Sequence, residues 1–489
     1  MDINLTDLGP LALAVINIAT SVFAAGHAIL TKSDVRAATG WVGLILLVPF
    51  VGWIIYLLFG INRIERRARE LRGIGHEKSL EKAQEKKQLP SPSGLAGLIA
   101  APGQDTAALH QLAQLGQQVA PGDLAPGNRV TLMENGDQAY PEMLAAIDGA
   151  QTSIALATYI FNHDKAGLQF LDALERAKNR GVRVRVLIDG VGSWYSRPSL
   201  FRLLQERAIP CDRFLHSFLP WEMPYLNMRN HHKILVVDGK LGFTGSMNIA
   251  EGNLHKLAPS KPITDHHFKV EGPVVRQLME TFAGEWNFTT SEILMGPDWF
   301  PELEPKGSVI ARGIAAGPDL GQNPIRWTLL AALSQAREHI RIVTPYFLPD
   351  VTLRTALSLA AMRGVTVDIL MPQTNNLVFV KWAASPQFAE LAAAGCRLWM
   401  VPGPFVHSKL MTIDNAWSLI GSANWDTRSL RLNFEFNMEC YGSALAATIN
   451  HVIDQKQQTA RRITIDQLAG RSMLVRLRDG VIRLFSPYL

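Results

Sequence analysis

A pattern of six fixed residues occurs twice in this chain of 489 residues, with identical spacing in the two copies. The pattern is H-x-K-x4-D-x6-G-S-x-N, and its copies begin at His231 and at His407. At average residue usage, the chance of one such match in a chain this long is on the order of one in 10⁵. The repetition therefore predicts a chain built from two related halves that present the same side chains.

Each copy also predicts a β-hairpin. His407 and Lys409 are two residues apart in a strand-like stretch, so their side chains share one face of the strand. Asp414 begins a turn in the second copy, and Asp238-Gly239 is a strong hairpin signal in the first. We expect the two motif aspartates to have a structural role in these turns, while the other motif residues meet at neighbouring strand ends.

The motif side chains suit chemistry on a phosphodiester. Imidazole can act as nucleophile or proton donor near neutral pH, so two histidines can divide the attack on phosphorus and the protonation of the leaving oxygen. Lysine supplies positive charge for phosphoryl oxygens, serine and asparagine supply neutral donors, and glycine allows close backbone approach. The candidate catalytic residues are His231, Lys233, Asp238, His407, Lys409 and Asp414, and the candidate phosphate-binding residues are Ser246, Asn248, Ser422 and Asn424.

The two motifs resemble those of the phospholipase D superfamily, whose members form a phosphohistidine intermediate and need no metal. The second copy continues as N-W-D-T-R-S-L over residues 424–430 and N-F-E over residues 433–435, which is similar to bacterial cardiolipin synthases. The first copy is preceded by Arg229-Asn230 and followed by Asp265 and by E-G-P at residues 271–273. These features, and the F-S-P sequence at residues 485–487, are also similar to that family, and the resemblance extends over nearly the whole chain.

The resemblance implies a fold and an assignment of roles. The fold is α/β, with two phospholipase D-like α/β sandwich repeats packed with pseudo-twofold symmetry and the motifs at their interface. Glu435 would orient the second histidine, and Asp265 is the candidate for orienting the first.

A reaction is implied as well. His231 would attack the phosphorus of phosphatidylglycerol, and His407 would protonate the departing glycerol and then activate a hydroxyl of a second phosphatidylglycerol. The near-symmetric sequence does not by itself decide which histidine is the nucleophile. Neither a nucleotide-binding loop nor a metal-ligand cluster is evident in the sequence, so we expect no cofactor and no metal.

The N-terminal residues 1–61 predict a two-helix transmembrane hairpin. Residues 8–30 and 40–61 contain no Asp, Glu, Lys or Arg, and each stretch is long enough to cross about 30 Å of hydrocarbon. A pair of buried core helices is the alternative. A cleaved signal peptide fits poorly, because residues 1–7 carry Asp2 and Asp7 but no Lys or Arg.

Charge predicts the orientation of this hairpin. Five arginines follow the second stretch between residues 63 and 72, whereas the connecting loop has only Lys32 and Arg36. The positive-inside rule then places the body of the protein on the cytoplasmic side of the bacterial inner membrane. The expected partners are phosphatidylglycerol, other anionic phospholipids and the bilayer, although a net charge of +5 suits nucleic acid equally well.

The remaining sequence predicts the domain organisation. Strands alternate with helices in each half, which favours an α/β fold, and G-V-R-V at residues 181–184 matches G-V-T-V at residues 364–367. We expect a charged helix and linker over residues 62–126, a first domain over residues 127–300 and a second over residues 301–489. The amphipathic stretch 463–489 suits either a helix lying on a membrane or one docked on the core.

Four other functions are compatible with parts of this pattern. A phospholipase D would use water in place of the lipid alcohol, and a transphosphatidylase would use another alcohol. The two apolar stretches and the second motif disfavour a nuclease, so nucleic acid is not an expected partner. An inactive lipid-binding scaffold is disfavoured because both copies keep their histidine and lysine.

Overall fold

The computed structural model describes residues 5–32, 34–60, 106–120, 122–195, 198–215, 228–257, 260–318 and 323–486. The chain forms two compact units, Met1–Glu70 and Leu71–Leu489, which are described separately below. The predicted charged helix and the part of the predicted linker up to residue 105 lie outside the described residues.

The N-terminal unit contains one long helix followed by a broken one. Helix α1 (Leu5–Thr31) includes Ala12–Thr31, which within the described residues is the helix long and apolar enough to cross a membrane. Helix α2 (Val35–Leu47) ends early, and α3 (Val51–Ile55) and a π-helix (Tyr56–Gly60) follow it. The predicted second span over residues 40–61 therefore corresponds to a helix that is interrupted after Leu47.

The break in the second span has a local cause. Proline at position 49 has no backbone N–H to donate, and Phe50 adopts a φ of 62°, so a helix cannot continue through them. The N–H of Phe50 donates instead to the side-chain oxygen of Asn17, at 2.8 Å. Ala24 and Ala28 of α1 pack against Tyr56, and these small side chains let the two segments approach closely.

The second unit begins, within the described residues, with helix α4 (Thr106–Val119). The first half then comprises β1 (Ala125–Glu134), α5 (Asn135–Gly149), β2 (Ser153–Thr158), α6 (Lys165–Asn179), β3 (Arg183–Asp189), α7 (Leu200–Glu206), β4 (Cys211–Phe214), β5 (Ile234–Val237), β6 (Leu241–Gly245), β7 (Ile263–Thr264), β8 (His266–Glu271) and α8 (Val275–Thr290).

The second half repeats this order. It comprises β9 (Val309–Ala316), α9 (Pro324–Gln335), β10 (His339–Val343), β11 (Phe347–Leu348), α10 (Val351–Met362), β12 (Thr366–Pro372), α11 (Val378–Ala393), β13 (Arg397–Val401), β14 (Phe405–Val406), β15 (Leu410–Ile413), β16 (Trp417–Gly421), β17 (Trp425–Asp426), β18 (Glu435–Tyr441), α12 (Ser443–Thr459), β19 (Arg461–Arg462), α13 (Ile465–Ala469) and α14 (Met473–Arg483).

One sheet joins the two halves. In the part of the chain that the structure describes, fifteen strands follow the order β4-β3-β2-β5-β6-β8-β1-β9-β18-β16-β15-β10-β12-β13-β19. Outward from β1 and from β9, the equivalent strands of the two halves follow in the same order, and β19 is the one described strand without a counterpart in this sheet. A pseudo-twofold axis between β1 and β9 requires this arrangement. These two strands pair in antiparallel register, with Ala125 opposite Ala311 and Asn128 opposite Val309.

The strands nearest the motifs are covered on both faces. Every residue of β2 and of β18 is buried, which is typical of a sheet that has layers packed on both sides. The hydrophobic core of the first half lies mainly between its sheet and helices α5 and α6. The core of the second half is built in the same way from α9, α10 and α11.

Helix α4 corrects the predicted linker. Its residues Leu109, Leu112 and Ala113 belong to the core of the second half, although the sequence assigned residues 62–126 to a charged helix and linker. The buried guanidinium of Arg312 fixes this helix by donating to the backbone oxygen of Ala113 at 3.2 Å, while it also pairs with Glu439. A segment that precedes the first half in sequence is therefore part of the second half in space.

Candidate active site

A short segment of the opposite half holds each motif histidine. The backbone N–H of His231 donates to the carbonyl of Phe434 at 2.8 Å, and that of His407 donates to the carbonyl of Thr264 at 2.9 Å. In the second case the contact continues a parallel pairing of β14 with β7. In both cases the residue after the acceptor is an acid, so the pairing carries a carboxylate of one half to the histidine of the other.

The histidine–carboxylate pairs are crossed between the halves. Nδ1 of His231 lies 2.9 Å from Oε2 of Glu435, and Nδ1 of His407 lies 2.7 Å from Oδ2 of Asp265. The sequence-based assignment, in which Glu435 orients the second histidine and Asp265 the first, was therefore wrong. The partners in the structure are 204 and 142 residues apart in the chain. Motif spacing carries no information about pairing over such separations.

The motif serines hold these carboxylates. The hydroxyl of Ser422 donates to Oε2 of Glu435 at 2.5 Å, and the hydroxyl of Ser246 donates to Oδ1 of Asp265. Asn433 adds a second donor to Glu435 at 3.0 Å. A hydroxyl has one proton to donate, so in this arrangement the serines orient the carboxylates. The expectation that they donate to phosphoryl oxygens is corrected accordingly.

The motif asparagines also have partners in the protein. The side-chain oxygen of Asn248 accepts the backbone N–H of Ile160 at 3.2 Å. The amide nitrogen of the buried Asn424 donates to the hydroxyl of Ser429 at 3.1 Å. Both asparagines therefore fix the loops that follow the second strand of each motif.

The motif lysines are buried beside the histidines. Nζ of Lys233 donates to the carbonyl of His231 at 2.8 Å, and Nζ of Lys409 donates to the carbonyl of His407 at 2.9 Å. Nζ of Lys409 also lies 3.2 Å from Nε2 of His407. After these contacts, two of the three donors of Lys233 and one of the three donors of Lys409 remain for a ligand, so the lysines are placed to hold an anion at the histidine ring edge.

Burial and charge set the protonation states of the pairs. Burial lowers the pKa of His231 to about 3, and it lowers the pKa of His407 as well. Burial opposes ionisation of Glu435, but the histidine and lysine beside it outweigh that effect and lower its pKa to about 2. For each pair we infer a neutral imidazole that donates its Nδ1 proton to an ionised carboxylate. This leaves the Nε2 lone pair of His231 free for attack, whereas that of His407 faces Nζ of Lys409.

The same burial weakens the charge of the lysines. Loss of solvation lowers the pKa of Lys233 to about 7 and that of Lys409 to about 8. Nearby Glu435 and Asp265 favour the charged forms and limit this effect. At neutral pH the amine of Lys409 is therefore mostly charged and that of Lys233 about half charged, and both lose their protons at a pH well below that of an exposed lysine.

Aromatic rings line the site beside both histidines. The Tyr159 ring lies 5.0 Å from the ring of His231 and takes Nζ of Lys233 over its face at 5.2 Å. Phe405 lies 5.8 Å from the ring of His407. The sequence analysis gave these rings no role; for Tyr159 the available signal was its position directly after strand β2.

The turn aspartates lie at the far ends of the hairpins. Asp414 accepts the backbone N–H groups of Arg337, Glu338 and His339, each at 2.8 Å. Asp238 accepts the equivalent three groups of residues 151–153. These carboxylates tie each hairpin turn to the loop before the neighbouring strand, which is the structural role expected for them, although the bonds reach beyond the turn itself.

The motif glycines permit close strand packing. Gly421 has a φ of 149°, and a Cβ atom there would lie 2.4 Å from the backbone oxygen of Phe436. Gly245 has a φ of 147° and faces the backbone oxygen of His266 in the same way. The close approach is to the neighbouring strand that carries the acid, so glycine positions the serine beside the carboxylate.

Among the residues that the structure describes, no group of three His, Cys, Asp or Glu side chains is arranged to hold a metal ion. In the Asp265-His266-His267 run, Asp265 directly precedes β8 and the two histidines begin the strand. Nδ1 of His266 lies 2.7 Å from the hydroxyl of Ser408. The three cysteines are free thiols.

The fold and the crossed motif pairs define a two-domain protein of the phospholipase D type. A family model described as "Cardiolipin synthase, PLD-like domain" matches residues 143–286 and 329–456, so that one copy falls in each half. A second model, "Phospholipase_D-nuclease N-terminal", matches residues 19–60. The chain belongs to the bacterial cardiolipin synthase family of the phospholipase D superfamily.

Curated relatives support this assignment over nearly the full length. The chain is 32% identical over 451 residues to "Cardiolipin synthase" of Geobacillus kaustophilus, a match that covers 92% of this chain and 88% of the relative. It is 31% identical over 469 residues to "Cardiolipin synthase A" of Pseudomonas putida, which covers 96% of each chain. The crystal structure of phosphatidylserine synthase from Haemophilus influenzae superposes with a TM-score of 0.62 at 15% identity, covering 78% of this chain and 100% of that one, which shows a shared fold.

Replacing Asp414 by asparagine should affect stability more than chemistry. The substitution replaces one carboxylate oxygen by an NH₂ group, so one or two of the three backbone N–H groups lose their acceptor, and we expect the free energy of unfolding to fall by roughly 1–3 kcal/mol. Turnover at a temperature where the variant is folded should fall less than tenfold, whereas His407→Ala should abolish it. Thermal unfolding followed by tryptophan fluorescence, with turnover of both variants, gives the comparison. A folded Asp414→Asn variant as inactive as His407→Ala would contradict the structural role.

Proposed function

We propose that the protein transfers a phosphatidyl group from one phosphatidylglycerol to another, giving cardiolipin and glycerol through a phosphohistidine. The crossed pairs carry the proposal, because each supplies a buried, neutral imidazole oriented by an ionised carboxylate of the other half. The reaction needs two such groups on one phosphodiester. The names of the full-length relatives supply the substrate class.

In the first step, Nε2 of His231 attacks the phosphorus of phosphatidylglycerol and forms a P–N bond. The P–O bond to the headgroup glycerol breaks, and His407 gives its proton to the departing oxygen. His407 is neutral in the empty site, but a bound phosphodiester anion favours its charged form. Glu435 and Asp265 stabilise the positive charge that develops on the two rings.

In the second step, the now neutral His407 takes a proton from a hydroxyl of a second phosphatidylglycerol. The oxygen of that hydroxyl attacks the phosphorus, the P–N bond breaks, and His231 returns to its neutral form. Atoms and charges balance, and each step can run in reverse. Lys233 and Lys409 hold the phosphoryl oxygens throughout, while Ser246, Ser422, Asn248 and Asn424 keep the carboxylates and loops in place. No cofactor or metal takes part.

The location of the reaction is also part of the proposal. Residues 1–61 would form a hairpin whose broken second arm returns across the inner membrane, with the catalytic body on the cytoplasmic side. The apolar helix Ala12–Thr31, the match of residues 19–60 to the N-terminal family model and the arginines at residues 63–72 support this arrangement. With domain boundaries near residues 127, 300 and 301, each half would contain one motif histidine.

A product analysis tests the reaction directly. The full chain in mixed micelles of phosphatidylglycerol and detergent, with excess chelator, should release cardiolipin and glycerol in equal amounts. Cardiolipin, phosphatidic acid and glycerol are followed together, and the His407→Ala variant serves as the control. Phosphatidic acid without cardiolipin would identify a hydrolase, and product lost on chelation would contradict a metal-free mechanism.

The crossed pairing predicts which variants behave alike. A phosphatidyl ester of p-nitrophenol carries a leaving group that needs no proton, so its burst reports attack alone. Glu435→Gln should reduce the rate of this burst about 10²–10⁴-fold, and His231→Ala should abolish the burst, because both impair the nucleophile. Asp265→Asn and His407→Ala should keep the burst but lose cardiolipin formation.

The matched comparison makes this test independent of which histidine attacks. If the nucleophile were His407, all four outcomes would exchange together, and Glu435→Gln would still match His231→Ala. A Glu435→Gln variant that behaves like His407→Ala would show that the pairs are not crossed during turnover.

The lysines predict the alkaline side of the pH profile. Their pKa values of about 7 and about 8 are below the usual value, so their positive charge is lost as pH rises through this range. We expect kcat/KM, which reports the free enzyme, to fall between pH 7 and 9. His407 is neutral in the free enzyme over this range, since burial lowers its pKa, and the proton that it must take up for the first step makes kcat/KM fall in the same direction. A kcat/KM that is constant up to pH 10 would contradict this role for the lysines.

A further inference from the structure

Helix α14 (Met473–Arg483) exposes an apolar face on the catalytic body. Met473, Leu474 and Leu484 are 84%, 79% and 77% exposed, and Leu477, Val481 and Phe485 are exposed as well. At 3.6 residues per turn these six side chains lie within about 120° of one another around the helix axis. A contiguous exposed apolar stripe of this kind is typical of a surface that contacts a membrane or another protein.

The opposite face of the helix is docked on the protein. Val475 and Ile482 are partly buried and Asp479 is fully buried, where it pairs with Arg471 and Arg478. The guanidinium of Arg478 also covers the ring of Trp382 in α11 at 4.1 Å. The helix is therefore held in a defined orientation, and its apolar stripe does not result from a loose terminus.

Arginines border the stripe on both sides. On the helical wheel, Arg476 and Arg483 flank one edge, and Arg471 and Arg478 flank the other. Asp479 is the only acid between residues 471 and 485, and it points into the protein. The exposed charge next to the stripe is therefore positive, which matches the surface of a bilayer that contains anionic lipids.

A second exposed apolar patch lies at the start of α11, whose Trp382 contacts Arg478 of α14. Phe379, at the start of α11, is exposed and contacts Trp382 with ring centroids 5.5 Å apart. Leu377 and Val378 beside it are also exposed. The preceding residue, Asn376, accepts the hydroxyl of Tyr346 at 2.6 Å, and Tyr346 contacts Phe405 next to His407.

We propose that the face formed by residues 377–379 and by the apolar stripe of α14, here called the C-terminal face, lies on an anionic bilayer and presents the active site to lipid. The amphipathic stripe, its arginine borders and the contacts that lead from Asn376 through Tyr346 and Phe405 to His407 support this occupant. The inference rests on the membrane location proposed above, and it adds a second contact far from the N-terminal hairpin in sequence.

Site-directed spin labelling of the full chain in phosphatidylglycerol-containing nanodiscs tests the inference. A label at Leu474→Cys, in a Cys211→Ser background, should collide with oxygen and be shielded from a polar nickel chelate. The reference labels are Phe23→Cys on the exposed side of α1 and Lys240→Cys in the β5–β6 turn. The first should resemble Leu474→Cys, and the second should be open to nickel.

Lipid charge provides the second comparison. In phosphatidylcholine alone, or with Arg476→Gln and Arg483→Gln, the equilibrium between shielded and exposed label at position 474 should shift toward exposed. The expected shift is roughly fivefold for each arginine removed. Both arginines are exposed and lie away from the active site, so the variants should fold normally.

The outcomes separate this inference from the proposed reaction, because the readout does not depend on turnover. A nickel-accessible label at 474 beside a shielded label at 23 would overturn the inference and leave the membrane location intact. Low accessibility to both reagents would also overturn it, since it would show that protein, such as residues 62–105 or a second copy, covers the stripe. Nickel access at both 474 and 23 would overturn the membrane location too.

Discussion

The hydrogen bond from each motif histidine to a carboxylate of the opposite half is the interaction on which the site depends. His231 with Glu435 and His407 with Asp265 place both rings at one interface and fix their Nδ1 protons. Neither half contains an oriented histidine by itself. The antiparallel pairing of β1 with β9 joins the two halves in one sheet, so the fold and the chemistry share one axis of pseudosymmetry.

Burial of these pairs has an energetic cost, and it also sets the protonation state that the chemistry needs. A buried ionised carboxylate that loses a hydrogen-bond donor is destabilised by about 1–3 kcal/mol or more. Ser422 and Asn433 therefore satisfy Glu435, and Ser246 satisfies Asp265. The same exclusion of water keeps the imidazoles neutral and strengthens the attraction between the lysines and a phosphoryl group. The motif serines, which the sequence suggested as ligands of phosphate, thus bind the carboxylates instead.

The sequence predicted the parts of this site but not their pairing. Exact repetition around His231 and His407 gave two halves, and residue spacing gave the hairpins and the structural turn at Asp414. The crossed acids could not be predicted, because they depend on bridges between segments more than 140 residues apart. Similarly, the uncharged stretch over residues 40–61 predicted a second span but not the interruption of its helix at Pro49 and Phe50. Local composition does not show that helix α4 completes a distant core.

Trapping the covalent intermediate tests the central claim most directly. The His407→Ala variant is mixed with a labelled phosphatidyl ester of p-nitrophenol, and the reaction is quenched in alkaline detergent to preserve the P–N bond. The protein is then digested, and the labelled peptide is sequenced by mass spectrometry. Our account predicts a phosphatidyl group on His231 and none in the His231→Ala variant. A phosphatidyl group on any residue other than the two motif histidines, or its absence from both under conditions of turnover, would contradict the account.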